Sequence, residues 1–222
     1  MPETISASNR CRIVLLISGS GSNLQAFIDA IANAELAADI VCVISNRSDA
    51  AGLERARAAN IKTAVLDHKL FASREHFDVA LQQLIDSYSP DLVILAGFMR
   101  ILTPGFVHHY LGRLLNIHPS LLPKYPGLHT HQRAIDAGDT EAGATVHFVT
   151  EELDGGPAVV QVSVPIIAND SAAALAQRTL QHEHVIYPLA AQWFAQGRLQ
   201  LRDNRAYLDG VLLPATGVIH TG

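Results

Sequence analysis

RIVLLISGSGSNLQAFIDAIANAELAADIVCVIS, residues 12–45, is the stretch on which the fold turns. Arg12–Ser18 and Asp39–Ser45 are short runs of consecutive Val, Ile and Leu, the pattern of strands covered on both faces. The residues between them open on Gly19-Ser20-Gly21-Ser22-Asn23 and continue into a helix over about 23–34. Strand, turn, helix and strand make a βαβ unit, which implies a parallel pairing. The rhythm continues outward. Lys62–Leu66, Asp91–Gly97 and Leu114–His118 read as further strands, and 51–59, 73–88 and 104–111 as further helices. Residues 73–88 carry Phe77, Ala80, Leu81, Leu84, Ile85 and Tyr88 at helical spacing, with Ser73 placed to cap the start and Ser89-Pro90 to end it. After Gly143 the rhythm changes. Ala144–Thr150 and Ala158–Ile166 are consecutive strands joined by a turn at Asp154-Gly155-Gly156-Pro157. A helix over 171–196 follows, then short pieces at 199–201, 206–208 and 211–213 that suit a hairpin. The expected fold is α/β: a doubly wound, mostly parallel sheet with an antiparallel C-terminal portion and helices on both faces.

Composition narrows the function classes. Of 222 residues, 49% are apolar, enough to close a core on both sides of such a sheet. A net charge of −5 and the lack of any Lys/Arg run argue against a nucleic-acid surface. Cys11 and Cys42 lie in apolar runs and read as buried free thiols of a reducing compartment. Residues 1–10 carry an acid and no apolar core of a signal peptide, and the run 13–17 is too short to span a bilayer. The expectation is a cytoplasmic protein that handles small molecules, with no membrane or nucleic-acid partner, as a monomer or weak homodimer.

Two motifs carry chemistry. The Gly19–Asn23 turn lies where a parallel sheet presents free backbone N–H groups to an anion. Leu24 occupies the position of a dinucleotide fingerprint's third glycine, and no Gly-Lys-Ser/Thr follows, so a single phosphate on a metabolite is favoured over NAD or ATP. A plain tight turn is the alternative. In the second motif, Asn116 and His118 sit two apart on a strand and so share a face at its carboxyl end. An amide and an imidazole there can stabilise an oxyanion and move a proton. Asp154 would orient His118 if the fold brings it near; otherwise it is a turn aspartate bonding its own loop. Gly97–Leu102, after the fourth strand, offers an apolar wall with one cation, suited to a flat ring. A covalent serine is disfavoured because Ser18, Ser22 and Ser120 lack the nucleophile-elbow spacing. Metal binding by His129/His131 or His182/His184 is disfavoured too, the second pair pointing apart on a helix.

Taken together, SGSGSN at 18–23, LAGFMRIL at 95–102, NIHPSLLPKYPGLHTH at 116–131, VHFVTEELDGGP at 146–157 and EHVIYPL at 183–189 resemble the phosphoribosylglycinamide formyltransferase family. The resemblance runs in order over about 11–213 and makes residues 1–10 an extension to a single domain at 11–222. It implies the formyltransferase fold and formyl transfer from 10-formyltetrahydrofolate, a co-substrate, to glycinamide ribonucleotide in purine synthesis, without a metal. It implies a catalytic trio of Asn116, His118 and Asp154. Gly21, Ser22 and Asn23 would cradle the ribonucleotide's phosphate, and Glu183 would contact the same substrate. Arg74, Met99, Arg100, Ile101, Leu102, Asn116, Thr150, Glu151, Glu152, Leu153 and Asp154 would form the folate site. It also implies a cis bond before Pro123. Leu180 departs from the family pattern, which has a polar residue there, and puts one ribose contact in doubt.

The related methionyl-tRNA formyltransferases and formyltetrahydrofolate hydrolases share the Asn-His-Asp set. The phosphate turn and the lack of an extra C-terminal domain argue against the first; the short segment before the first strand argues against the second. A folate-binding domain with dead chemistry is disfavoured because all three polar groups are intact.

Overall fold

The structure is a computed structural model and describes residues 10–221. The expected extension at 1–10 lies, Arg10 apart, outside the described residues. The first half alternates strand and helix: β1 (Cys11–Ile17), α1 (Ser22–Ala32), β2 (Ala38–Ser45), α2 (Gly52–Ala58), β3 (Thr63–Val65), α3 (Arg74–Asp86), β4 (Leu92–Leu95), α4 (Pro104–His109) and β5 (Leu114–His118). Then come α5 (Thr130–Asp136), the consecutive strands β6 (Glu141–Phe148) and β7 (Ala158–Pro165), and the long α6 (Ala172–Ala195). The chain closes with β8 (Leu199–Arg202), β9 (Arg205–Leu208), β10 (Val211–Leu212) and β11 (Val218–His220).

The main sheet has the order β11-β7-β6-β5-β4-β1-β2-β3, and β10-β9-β8 form a small second sheet. β1 to β5 pair in parallel, whereas β5–β6 and β6–β7 are antiparallel. This is the mixed, doubly wound sheet that the resemblance implies. Three elements were not foreseen: a 3₁₀ turn at His68–Leu70, α5, and β11, which pairs in parallel with β7 at the sheet edge. Strand β4 also ends two residues short of the expected Gly97, which releases residues 96–102 as a loop.

Helix starts follow their capping chemistry. The Ser73 hydroxyl accepts from the His76 N–H, Ser171 from Ala174, and Thr103 from Phe106 with Pro104 at the first turn. Alternation along each strand sorts side chains between two cores. Ile13, Leu15 and Ile17 of β1 join Phe27 of α1 and Tyr187 of α6 on one face. Val14 and Leu16 join Phe77 of α3 and Phe106 of α4 on the other. In β5, Leu115 and Ile117 face the α1/α6 core and Leu114 the α3/α4 core. Asn116 and His118 therefore continue the α3/α4 face, beyond the apolar cover of those helices. Winding reverses between β1 and β4, which puts a crevice at their carboxyl ends. Among the described residues no helix is long and apolar enough to cross a membrane.

Candidate active site

Both candidate motifs open on that crevice. Gly21 caps α1 with φ 70°, and a Cβ on it would stand 2.6 Å from the Gly52 Cα, so both the backbone twist and the close approach of α2 require glycine. The first N–H groups of α1 have no partner within the helix. Asn23 Nδ2 donates to Glu183 Oε2 at 2.9 Å, joining this turn to α6 across 160 residues. Asn23 Oδ1 is buried with no partner, and Glu183 is 7% exposed. Burial pushes the Glu183 carboxyl up, and the Asn23 bond only partly offsets it. One unsatisfied buried acceptor therefore stands beside a carboxyl group held out of water. Leu180 stands one helical turn before Glu183.

The turn is also tied to the loop after β4. Ser18 N donates to the Gly97 carbonyl at 3.1 Å, and the Ser18 hydroxyl accepts from Met99 N at 2.9 Å while donating to Asn46 Oδ1 at 2.7 Å. The Gly97–Leu102 segment is thus held against the end of β1. Arg100 lies over the Phe77 ring at 4.7 Å, and its Nε is buried without a partner.

The fold brings Asn116, His118 and Asp154 together. Register pairs Asn116 with His147 and His118 with Thr145, so the loop after β6 folds back over the end of β5. Asp154 takes a left-handed conformation, φ 53°. A Cβ on Gly156 would lie 1.9 Å from the Phe148 carbonyl oxygen, so only glycine lets the loop pack there. Gly127 N donates to Asp154 Oδ2 at 2.8 Å, and the same oxygen stands 3.4 Å from His118 Nδ1. His118 Nε2 donates to the Tyr125 carbonyl at 2.9 Å. The ring is therefore held from both ends, its Nδ1 towards the carboxylate. Asp154 thus stands beside His118 and is not a turn aspartate bonded only within its own loop.

Two supporting sets were not singled out in the sequence. His147 Nδ1 lies 2.8 Å from the Phe148 carbonyl, which only accepts, so Nδ1 carries the hydrogen. Its Nε2 is then the acceptor for Asn116 Nδ2 at 3.1 Å. Burial pushes His147 down to about 4, outweighing its bond to Phe148 and the nearby Asp154 charge, so the ring is neutral. The 3.9 Å approach of Asp154 Oδ1 to His147 Nε2 is consequently not an ion pair. Behind His118, the Thr145 hydroxyl donates to the Ser120 carbonyl at 2.7 Å and accepts from Leu122 N and Gln161 Nε2. Gln161 also donates to the Leu122 carbonyl at 2.7 Å. This buried set fixes the Pro-rich turn, where Leu122–Pro123 is cis, as the resemblance implied.

Asn116, His118 and Asp154 line a cavity of ≈ 550 Å³ together with Gly97–Ile101 and Leu128. A second cavity of ≈ 120 Å³ adjoins it behind Asn116, lined by Arg100–Leu102, His147 and Thr150–Asp154. All the expected folate positions except Arg74 line one or the other. Arg74 begins α3 and lines neither. Glu151 pairs with His108 of α4, which anchors the outer loop. Among the described residues no group of three or more His, Cys, Asp or Glu has metal-binding geometry. The arrangement offers an amide donor and an oriented imidazole at one spot, beside a mostly apolar slot.

A family model described as formyl transferase matches residues 11–191. The chain is 58% identical over 205 residues to a phosphoribosylglycinamide formyltransferase of Escherichia coli, covering 92% of this chain and 97% of that one. It is 53% identical over 206 residues to the protein of the same name from Haemophilus influenzae, covering 93% and 97%. A solved structure of a phosphoribosylglycinamide formyltransferase from Coxiella burnetii, in complex with CHES, superposes with TM-score 0.92 at 50% identity, covering 96% of this chain and all of that one.

Proposed function

The chain belongs to the formyl transferase family, and we propose that Asn116, His118 and Asp154 are its catalytic trio, working between two small molecules. The reaction is transfer of the formyl group of 10-formyltetrahydrofolate to the glycyl amine of glycinamide ribonucleotide, a step of purine biosynthesis that leaves tetrahydrofolate. The observation that carries the site assignment is convergence: three polar groups, two from the end of β5 and one from the loop after β6, meet on one cavity.

The slot suits the folate. Phe98 and Ile101 offer flat apolar cover, the unpartnered Arg100 Nε offers a buried donor, and the 150–154 loop closes the side. Gly21, Ser22 and Asn23 bind the phosphate, and Glu183 the body of the ribonucleotide. Arg74, outside both cavities, contacts the folate's outer end. Asn116 spends one amide N–H on His147, and its second N–H serves the formyl oxygen. As the amine attacks the formyl carbon, the new C–N bond forms and the oxygen becomes an oxyanion, held by the free N–H of Asn116 and, once its Nε2–H leaves the Tyr125 carbonyl, by His118. The bond from carbon to the folate nitrogen then breaks. The proton lost by the amine reaches that nitrogen through His118 or water, while Asp154 keeps the ring in place. Holding both reactants in line supplies much of the remaining acceleration. A monomer or weak homodimer is the proposed acting form. Two buried free cysteines support a cytoplasmic setting.

Asn116→Ala and His118→Ala should each lower turnover by about 10²–10³ or more. The assay measures formylated ribonucleotide and free formate, with and without the acceptor. Near-wild-type turnover in both variants overturns the trio; formate release independent of the acceptor would instead mark a hydrolase.

A further inference from the structure

The phosphate turn carries no charge of its own, yet two carboxylates stand beside it. Glu183 is bonded to Asn23, and Asp29 accepts from Gln25 Nε2 at 2.9 Å. A phosphate monoester brings about 1.5–2 negative charges at neutral pH. Backbone N–H groups and the α1 dipole must therefore hold it against an acidic surround unless a cation is near. His184, on the adjoining face of α6, does not supply that charge. Burial, the largest influence, holds its imidazole towards the neutral form; the Asp29 charge opposes it, and the smaller Arg55 charge adds to it.

Arg55 of α2 does stand there. Its Nε donates to the Ser20 carbonyl at 2.9 Å and its Nη1 to Gln25 Oε1 at 3.3 Å. Its Cδ lies 3.5 Å from the point a Cβ on Gly21 would occupy, so the side chain is stacked on the turn itself. Among the described residues it is the only Lys or Arg hydrogen-bonded to residues 19–25, and its Nη2 makes no protein hydrogen bond. The Gly21–Gly52 approach that brings α2 against the turn is what places it.

We propose that Arg55 is the charge-recognition residue of the phosphate site, its guanidinium fixed on the turn by Ser20 and Gln25 so that the free edge meets the ribonucleotide's phosphate. This rests on reading residues 21–23 as the phosphate cradle. The assignment separates two tasks: the turn supplies shape and neutral donors, and Arg55 supplies the charge that selects a phosphorylated acceptor over its riboside.

The test measures binding of glycinamide ribonucleotide and of dephosphorylated glycinamide riboside to folate-free wild type, Arg55→Gln and Arg55→Lys by titration calorimetry at low and high salt, with kcat alongside. In Arg55→Gln, Kd for the ribonucleotide should rise about tenfold, the worth of a hydrogen bond to a charged group, and its salt dependence should flatten. Riboside binding and kcat at saturation should stay unchanged, and Arg55→Lys should recover part of the loss. An unchanged ribonucleotide Kd, or an equal loss for the riboside, overturns the proposal, the second result meaning that Arg55 only shapes the turn. If wild type itself fails to distinguish ribonucleotide from riboside, the cradle reading falls and the proposal with it.

Discussion

At the residue scale, His147 decides what Asn116 can do. An unheld amide turns over easily and presents oxygen or nitrogen alike; here a bare imidazole nitrogen accepts from Nδ2 and fixes the donor end towards the cavity. That task requires the ring to be neutral, and burial keeps it so. The cost appears in acid. The folded-state value, about 4, lies below the ordinary 6.5, so the unfolded chain takes up the proton first. Stability from this group is whole above pH 6.5 and is lost as pH falls towards 4, by about 3 kcal/mol in all. Urea unfolding of wild type and His147→Gln at pH 6.5 and 4.5 checks it. The variant should lose less stability over that interval, by about 2–3 kcal/mol; parallel losses would show that the ring does not carry the acid sensitivity.

At the element scale, α6 sets a carboxylate in a dry place. Glu183 sits midway along the helix, among Thr179, Ile186 and Tyr187, all buried. An acid whose value is raised on folding keeps its proton where the unfolded chain has lost it, so stability falls as pH rises past the ordinary 4.5. Glu183→Gln removes that cost. It should raise the midpoint of thermal unfolding at pH 7.5 by a few degrees, about 2–4 °C per kcal/mol, while ribonucleotide binding weakens. A lowered midpoint in scanning calorimetry would count against this balance. The helix itself was readable from the sequence, as was α3, because each is long and patterned. Helix α5 was not. Its seven residues, Thr130–Asp136, bury only Thr130 and Ala134, and its cap, His129, is left-handed with no side-chain bond. Strand β11 was missed for a related reason: three residues carry no period, and only the exposed edge of β7 makes them a strand.

At the scale of the whole molecule, the site is a product of register. The shared face of Asn116 and His118 follows from the period of a strand and could be read directly. The closeness of Asp154 could not, because it depends on which residue of β6 lies opposite Asn116. The same register makes His147 and Thr145 supports of the site, though in sequence they are ordinary polar residues of a strand. One sheet also joins the two cores, since β1 gives alternate side chains to each. Separating the faces would mean breaking the strand that the Gly19–Asn23 turn and the Gly97 loop both rest on. We therefore propose that residues 11–222 fold as one domain, in which neither layer of helices survives loss of the other. Trp193 is the only tryptophan and packs on the α1/α6 face. Its fluorescence reports that face alone, whereas far-ultraviolet circular dichroism reports helices on both. In urea the two signals should fall along one curve with one midpoint. A tryptophan transition that precedes or trails the loss of helix would mean that the α3/α4 face holds together independently.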